Sequence, residues 1–293
     1  MPKHNGRRRG RNALDADDLE WESHVPDDAL DTALDDGPPA GDRWSTWDQS
    51  TPTERGPSPH PSWLVTELAA VDTEFGILKT GKEADVHLIS RGMPGTDRVC
   101  LLAAKRYRSA ENRLFHRDAG YLEGRRMRDS RMSRAMAGRT AFGKQVIAAQ
   151  WANAEFVALC RLWELGLPVP YPVQIVGTEV LQEFVGTPDG QAAPRLAAVA
   201  DGLPALWEQL LEAMLTLARS GLAHGDLSPY NLLVHDGRLV VIDLPQIVDV
   251  IAHPAGAGFL DRDARNVATW FAKKGVPVDP DEVSDLVLRE AFG

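Results

Sequence analysis

Residues 224–233 read HGDLSPYNLL, and residues 239–246 read LVVIDLPQ. Asp226 and Asn231 lie five positions apart, and Asp243 follows Asp226 by seventeen, at the end of an apolar run. Two carboxylates and an amide oxygen at this spacing suit phosphoryl transfer. That chemistry needs phosphates held, divalent cations bridging them, and a carboxylate that orients the incoming nucleophile. Mg²⁺ is bound by a few such oxygens together with the phosphates themselves. Taken singly, each residue has a plainer explanation: Asp226 or Asn231 caps a turn, and Asp243 ends a strand. As a triple, H-G-D-x4-N followed by a hairpin and I-D, they are far more specific.

The phosphates also need a cation. Lys105 closes the apolar run LLAAK, which places an ammonium at the edge of a sheet. A buried lysine requires a counter-charge. Glu155 is the natural supplier, an acid on the helix face marked by Trp151, Leu159 and Leu162. Without that pairing, Lys105 would simply extend to water, as would Glu155. The turn Thr80-Gly81-Lys82-Glu83 sits where a phosphate-covering loop belongs. It has a single glycine, so its backbone amides and Thr80 must do most of the holding.

The elements that must position these residues are legible around them. FGILK (75–79), ADVHLIS (84–90) and VCLLAAKRY (99–107) read as three successive antiparallel strands. A helix over 146–165 stops at Gly166 and PVPYP, and VQIV (173–176) and EVLQEFVG (179–186) read as two further strands. An amphipathic helix at 205–221 leads into the opening motif. The hairpin LLV–HDGR–LVVI follows, with Asp-Gly as its turn signal. Helices are expected at 262–275 and 281–291.

The 293 residues are 43% hydrophobic and 25% charged, ordinary for a soluble protein. Both cysteines, Cys100 and Cys160, lie in apolar stretches, so reduced thiols in a cytoplasm are expected rather than a disulfide scaffold. No apolar run approaches the length of a membrane span, and the basic start MPKHNGRRRGRN is not followed by an apolar segment. No membrane partner is expected. Charge is uneven: residues 1–11 hold five Lys or Arg, whereas 12–62 hold thirteen acids against Arg43 and Arg55, a net of −11. Residues 1–62 therefore read as a disordered acidic tail with a basic start. Trp21, Trp44 and Trp47 within it suit docking, either on the folded part or on a partner. Residues 105–144 carry twelve Lys or Arg and four acids. That segment is either a solvated face or an electropositive rim near a phosphate or nucleic acid.

TGKEADVH (80–87), AAKRY (103–107), WANAEF (151–156), HGDLSPYNLL (224–233) and IDLPQ (242–246) occur in an order and spacing that resembles the RIO-type atypical serine/threonine protein kinases. The TGKEA turn is most similar to the first RIO subfamily. The resemblance covers about residues 64–275 and implies an α+β, two-lobed kinase-like fold. The N-lobe, about 63–184, would be a five-stranded antiparallel sheet plus a helix; the C-lobe, about 185–293, would be reduced and mainly helical. It implies ATP between the lobes with Mg²⁺, or alternatively Mn²⁺. Asp226 would be catalytic, Lys105 would pair with Glu155, and Asn231 and Asp243 would be the metal ligands. Thr80, Gly81, Lys82 and Glu83 would cover the phosphates, and Glu183, Phe184 and Val185 would read adenine through backbone groups. Asp243 is also implied as a phosphoryl acceptor, through an acyl-phosphate. Autophosphorylation, transfer to a protein substrate, or ATP hydrolysis would follow. Relatives act in small ribosomal subunit maturation, and the basic segment 105–144 would permit contact with RNA or a ribosomal particle.

Where most protein kinases place an Arg, this chain has Gly225. Only 50 residues follow Asp243, too few for a long activation segment to which that Arg would couple. Ser228, standing where many kinases have a Lys, reads as a loop-stabilising hydroxyl. Two other functions compete. A small-molecule kinase of the aminoglycoside or choline type also uses H-G-D-x4-N, but devotes a large C-terminal region to its acceptor. A nucleotide-binding scaffold without turnover would have little reason to keep every chemistry-bearing residue.

Overall fold

The computed structural model describes residues 38, 41–108, 141–244 and 247–293. Strands β1 (Arg43–Trp44), β2 (Val71–Thr80), β3 (Ala84–Gly92), β4 (Val99–Tyr107), β5 (Pro172–Val176) and β6 (Glu179–Glu183) form one antiparallel sheet in the order β1-β2-β3-β4-β6-β5. The five expected strands are present, and β1 makes a sixth. Helix α1 (Ala141–Glu164) connects β4 to β5 and lies against β4, β5 and β6.

Paired residues of neighbouring strands share a face, so the register assigns the two sides of the sheet. Val86, Lys105 and Val180 form one row across β3, β4 and β6. That face packs on α1 through Ala148, Ala152 and Phe156. Ile89, Leu102, Ala104 and Leu181 face the other way and are sealed by Trp47, Leu64 and Val65.

Trp47 corrects the expected boundary at 62, because residues 41–62 belong to the folded part. Trp47 is only 4% exposed. The Arg55 guanidinium stacks 4.9 Å from its ring and donates to its carbonyl at 3.1 and 2.5 Å. Gly56 donates its N–H to the Val173 carbonyl at 2.9 Å, so close that a Cβ there would lie 1.7 Å from Pro172 O. Composition misled because the segment is acidic overall, yet the buried Trp47 and the Arg55 and Gly56 contacts tie it to the sheet. Trp21 and the basic start lie outside the described residues, as do residues 109–140 of the basic segment.

Beyond β6 the chain is mainly helical. Helix α2 (Leu203–Arg219) buries Leu206, Leu210, Met214 and Leu217, the stripe its sequence shows. Strand β7 (Leu222–Ala223) pairs with β10 (Val248–Asp249), which the sequence did not reveal, since two-residue strands have no period to read. β8 (Leu232–His235) and β9 (Arg238–Val241) form the expected hairpin, with Asp236 and Gly237 both at positive φ in its turn. Helix α3 (Gly256–Lys273) begins six residues before the expected 262, where packing of Leu260 overrides the low helix propensity of GAG. Helix α4 (Pro280–Phe292) starts at Asp279, whose side chain accepts from the N–H groups of Asp281 and Glu282. Among the described residues, no helix is long and apolar enough to cross a membrane.

Candidate active site

Lys105 extends from β4 on the sheet face that carries α1. Its Nζ lies 2.6 Å from Glu155 Oε1 and 3.2 Å from Asp243 Oδ1. The expected Lys105–Glu155 pair is thus present, and Asp243 joins it directly. Tyr107, two residues along the strand and on the same face, donates its hydroxyl to Glu155 Oε2. Glu155 is 2% exposed and satisfied by both partners, as a buried carboxylate must be. Burial opposes the Lys105 charge, but the Glu155 and Asp243 carboxylates outweigh it and hold the ammonium above the ordinary lysine pKa. For Asp243, burial likewise opposes ionisation, and Lys105 chiefly, then Lys79 and His224, hold it below the ordinary aspartate value. Asp243 stands at φ 68, a left-handed conformation that a short polar side chain tolerates best, and its side chain is 42% exposed.

The loop carrying Asp226 is held from several sides. Asp263 on α3 is 4% exposed and accepts from the N–H groups of Gly225 at 2.7 Å and Leu227 at 3.0 Å. Burial pushes its carboxyl above the usual aspartate range. Arg262 donates to the Gly225 carbonyl at 2.5 Å. His224 Nδ1 accepts the Asp226 N–H at 3.3 Å, so its Nε2 carries the proton toward the Ile242 carbonyl 3.1 Å away. Asn231 Nδ2 donates to the Asp226 carbonyl at 2.9 Å and approaches Asp226 Oδ2 at 3.4 Å. The Asp226 side chain meanwhile projects from an exposed residue. Gly225 has a local backbone reason: its φ is 87, where an Arg would be strained.

Asn231 and Asp243 come together across the hairpin, since Ile242 N–H donates to the Asn231 carbonyl at 3.0 Å. With Nδ2 committed to the loop, the Asn231 amide oxygen is the end a cation would use. The Asn231 amide oxygen and the exposed Asp243 carboxylate are hard oxygen donors, the type that fits Mg²⁺.

The turn Thr80-Gly81-Lys82-Glu83 links β2 to β3. Gly81 N–H donates to Ala84 O at 2.9 Å, and Arg108 ties the turn down through the Gly81 and Glu83 carbonyls. Lys82 and Glu83 are exposed, and among the described residues no hydrogen bond or ion pair joins their side chains to the Lys105 cluster. Glu183 turns its carboxylate to the Tyr171 N–H at 3.0 Å, on the face away from Lys105, so only its backbone can serve a nucleotide. Val185 spends its carbonyl on Ala193 N–H at 3.0 Å, leaving its own N–H for a base.

Sequence reasoning assigned no role to Tyr107, Asp263 or Arg262. Tyr107 was legible as the next same-face residue after Lys105. Asp263 was legible as an acid on the buried stripe of α3, between Leu260, Ala264 and Val267.

A sheet-borne lysine ion-paired to a helix glutamate and to Asp243, beside a loop presenting Asp226 and Asn231, defines a protein-kinase-like phosphotransferase scaffold. A family model described as the RIO domain matches residues 102–283. Over 221 residues the chain is 37% identical to the RIO-type serine/threonine-protein kinase Rio1 of Haloferax volcanii, covering 75% of this chain and 70% of that one. It is 36% identical over 208 residues to the serine/threonine-protein kinase RIO1 of Caenorhabditis elegans, covering 69% of this chain and 38% of that one. The chain belongs to the RIO family of serine/threonine-protein kinases. Both relatives carry the Rio1 name, the subfamily that the TGKEA turn resembles. Among solved structures, the Rio2 kinase-ADP/Mg²⁺-phosphoaspartate complex from Chaetomium thermophilum has a TM-score of 0.51 at 20% identity. It covers 75% of this chain and 63% of its own, and supports the two-lobed fold.

Proposed function

We propose that this chain transfers the γ-phosphoryl group of ATP to a serine or threonine hydroxyl, its own or that of a protein substrate. The observation that carries this is the three-point ion cluster Glu155–Lys105–Asp243, set beside the Asp226 loop. Lys105 would hold a phosphate oxygen, its position fixed by the buried Glu155 and by Tyr107. Asp226 would orient the acceptor hydroxyl and take its proton, while Asn231, His224 and Asp263 hold the loop that presents it. The backbone of Glu183 through Val185 would meet the adenine, and the 80–83 turn would cover the phosphates. Asn231 and Asp243 would hold Mg²⁺, which when bound would supply positive charge to offset that of the phosphates.

A second reading is favoured by the exposure and lowered pKa of Asp243, which make it an available carboxylate nucleophile. Its free oxygen would attack the γ-phosphorus and expel ADP, leaving an acyl-phosphate that water then hydrolyses, for a net ATPase cycle. Reduced Cys100 and Cys160 support a cytoplasmic setting. Contact with RNA or a ribosomal particle through residues 105–144 rests on the charge of that segment alone.

Incubation with ATP labelled at the γ-phosphate tests both readings. Hydroxylamine-stable label on protein supports serine or threonine transfer, whereas hydroxylamine-labile label lost in Asp243→Asn supports the acyl-phosphate. Asp226→Ala should lower hydroxyl transfer by about 10²–10⁴-fold, the range for losing a general base. Label appearing only on an added small-molecule alcohol would overturn the protein-kinase reading in favour of the aminoglycoside or choline type. ATP binding with no transfer or hydrolysis would leave a scaffold.

A further inference from the structure

We propose that Lys79 is a second phosphate-binding lysine, holding the β- and γ-phosphates of ATP together with Lys105; this rests on the nucleotide-binding reading above. Lys79 pairs with Val86, and Val86 pairs with Lys105. The three residues therefore form one row across β2, β3 and β4, on the face that carries the Lys105 cluster.

Simple alternation along β2 would place Lys79 with Ile77. The register slips between those two residues, so Ile77 pairs with His87 and faces the other way. That bulge turns Lys79 toward the cleft, as bulges beside binding sites commonly re-aim a side chain. Strands lie about 4.8 Å apart, so the Lys79 and Lys105 backbones are separated by about 10 Å. Two lysine side chains converging from that separation can grip one phosphate chain between them. Lys79 also directly precedes Thr80, the first residue of the turn above the site.

The electrostatic surroundings agree. Lys79 is an exposed residue whose side chain is partly desolvated; the charges facing it are Arg195, Asp243, Lys105 and Glu83, and that desolvation, then Arg195, lowers its pKa from the ordinary lysine value. Arg195 enters from the C-terminal side, where it bridges to Leu233 and donates to the Tyr230 carbonyl of the catalytic loop. Lys105 is neutralised by Glu155 and Asp243. Among the described residues, neither Lys79 nor Arg195 has a carboxylate within ion-pair distance. Two cations without a contact ion pair, beside an already paired lysine, favour a polyanion between them. A nucleoside di- or triphosphate supplies that charge, and a monophosphate does not extend far enough to use it.

Calorimetric titration of the full chain with Mg²⁺-ATP, Mg²⁺-ADP and AMP tests the assignment in the wild type, Lys79→Ala and Lys79→Arg. Lys79→Ala should weaken ATP and ADP binding about tenfold, the scale of one lost charge-assisted contact, with AMP unchanged. Lys79→Arg should recover most of the loss. Unchanged ATP affinity in Lys79→Ala would overturn the inference. So would an equal loss for AMP, because Lys79 would then act on the pocket and not on the distal phosphates. A wild type that binds none of the three nucleotides removes the nucleotide reading itself.

Discussion

The two faces of the N-lobe sheet each carry a charged cluster, and the clusters are built for opposite purposes. On the face covered by residues 41–65, Arg91 is 0% exposed and grips Asp72 through two hydrogen bonds of 2.7 and 3.0 Å. Its remaining nitrogen donates to Gln174 Oε1 at 2.9 Å, and Gln174 Nε2 reaches Thr46 Oγ1 at 2.8 Å. That network is closed, and it ties the N-terminal segment to the sheet. On the other face, Glu155 is equally sealed but Asp243 is 42% exposed. One end of that cluster is fixed and the other is open to a ligand. A buried charge with all its partners inside the protein serves structure; one whose last partner is left to solvent is available for chemistry.

Substitutions on the two faces should therefore separate stability from activity. The largest stability loss is expected from Arg91→Met, which strands the Asp72 carboxylate. It should cost about 3–5 kcal/mol in chemical denaturation while the folded fraction keeps its ATP affinity. Selective loss of ATP binding without destabilisation would contradict the assignment of that face to structure. Tyr107→Phe removes one of the two donors to Glu155 and should cost about 1–3 kcal/mol, with a weaker ATP affinity because Lys105 loses its fixed anchor. On the proposed acyl-phosphate reading, Asp243→Asn should abolish hydroxylamine-labile labelling while shifting the unfolding midpoint only slightly, since its side chain is partly solvated.

The smallest expected effect lies in pH dependence. Asp243 is held below its ordinary 3.8, so its stabilising contribution is complete above that value and is lost as pH falls through the lower folded-state pKa. Lys105 is held above its ordinary 10.5, so its contribution is complete below that value and is lost as pH rises through the higher folded-state pKa. The difference in unfolding midpoint between wild type and Asp243→Asn should therefore hold across neutral pH and shrink in acid. A constant difference into strong acid would count against the Lys105–Asp243 pair.

Much of this site was legible in the chain itself. Asp226, Asn231 and Asp243 announced themselves by spacing, and Lys105 and Glu155 by being charges placed on apolar runs. Strand and helix periods located five sheet strands and four helices, because period is a local property. The order of residues 41–62 was hidden, since Trp47 reads as one aromatic in an acidic stretch until the sheet face it covers exists. Asp263 was legible as an acid on a buried helix stripe, but not its partners, which are backbone N–H groups of Gly225 and Leu227 and carry no side-chain signature.

By itself, the sequence determined the inventory of candidate phosphoryl-transfer groups and the elements that bear them, through short-range spacing and hydrophobic period. Only the tertiary structure decided which charges meet. Lys105 reaches Asp243 across 138 positions of sequence, and Lys79 turns to the cleft through a bulge that depends on pairing with β3. Such contacts depend on strand register and lobe packing, which arise from cooperative long-range burial and leave no periodic trace in the chain.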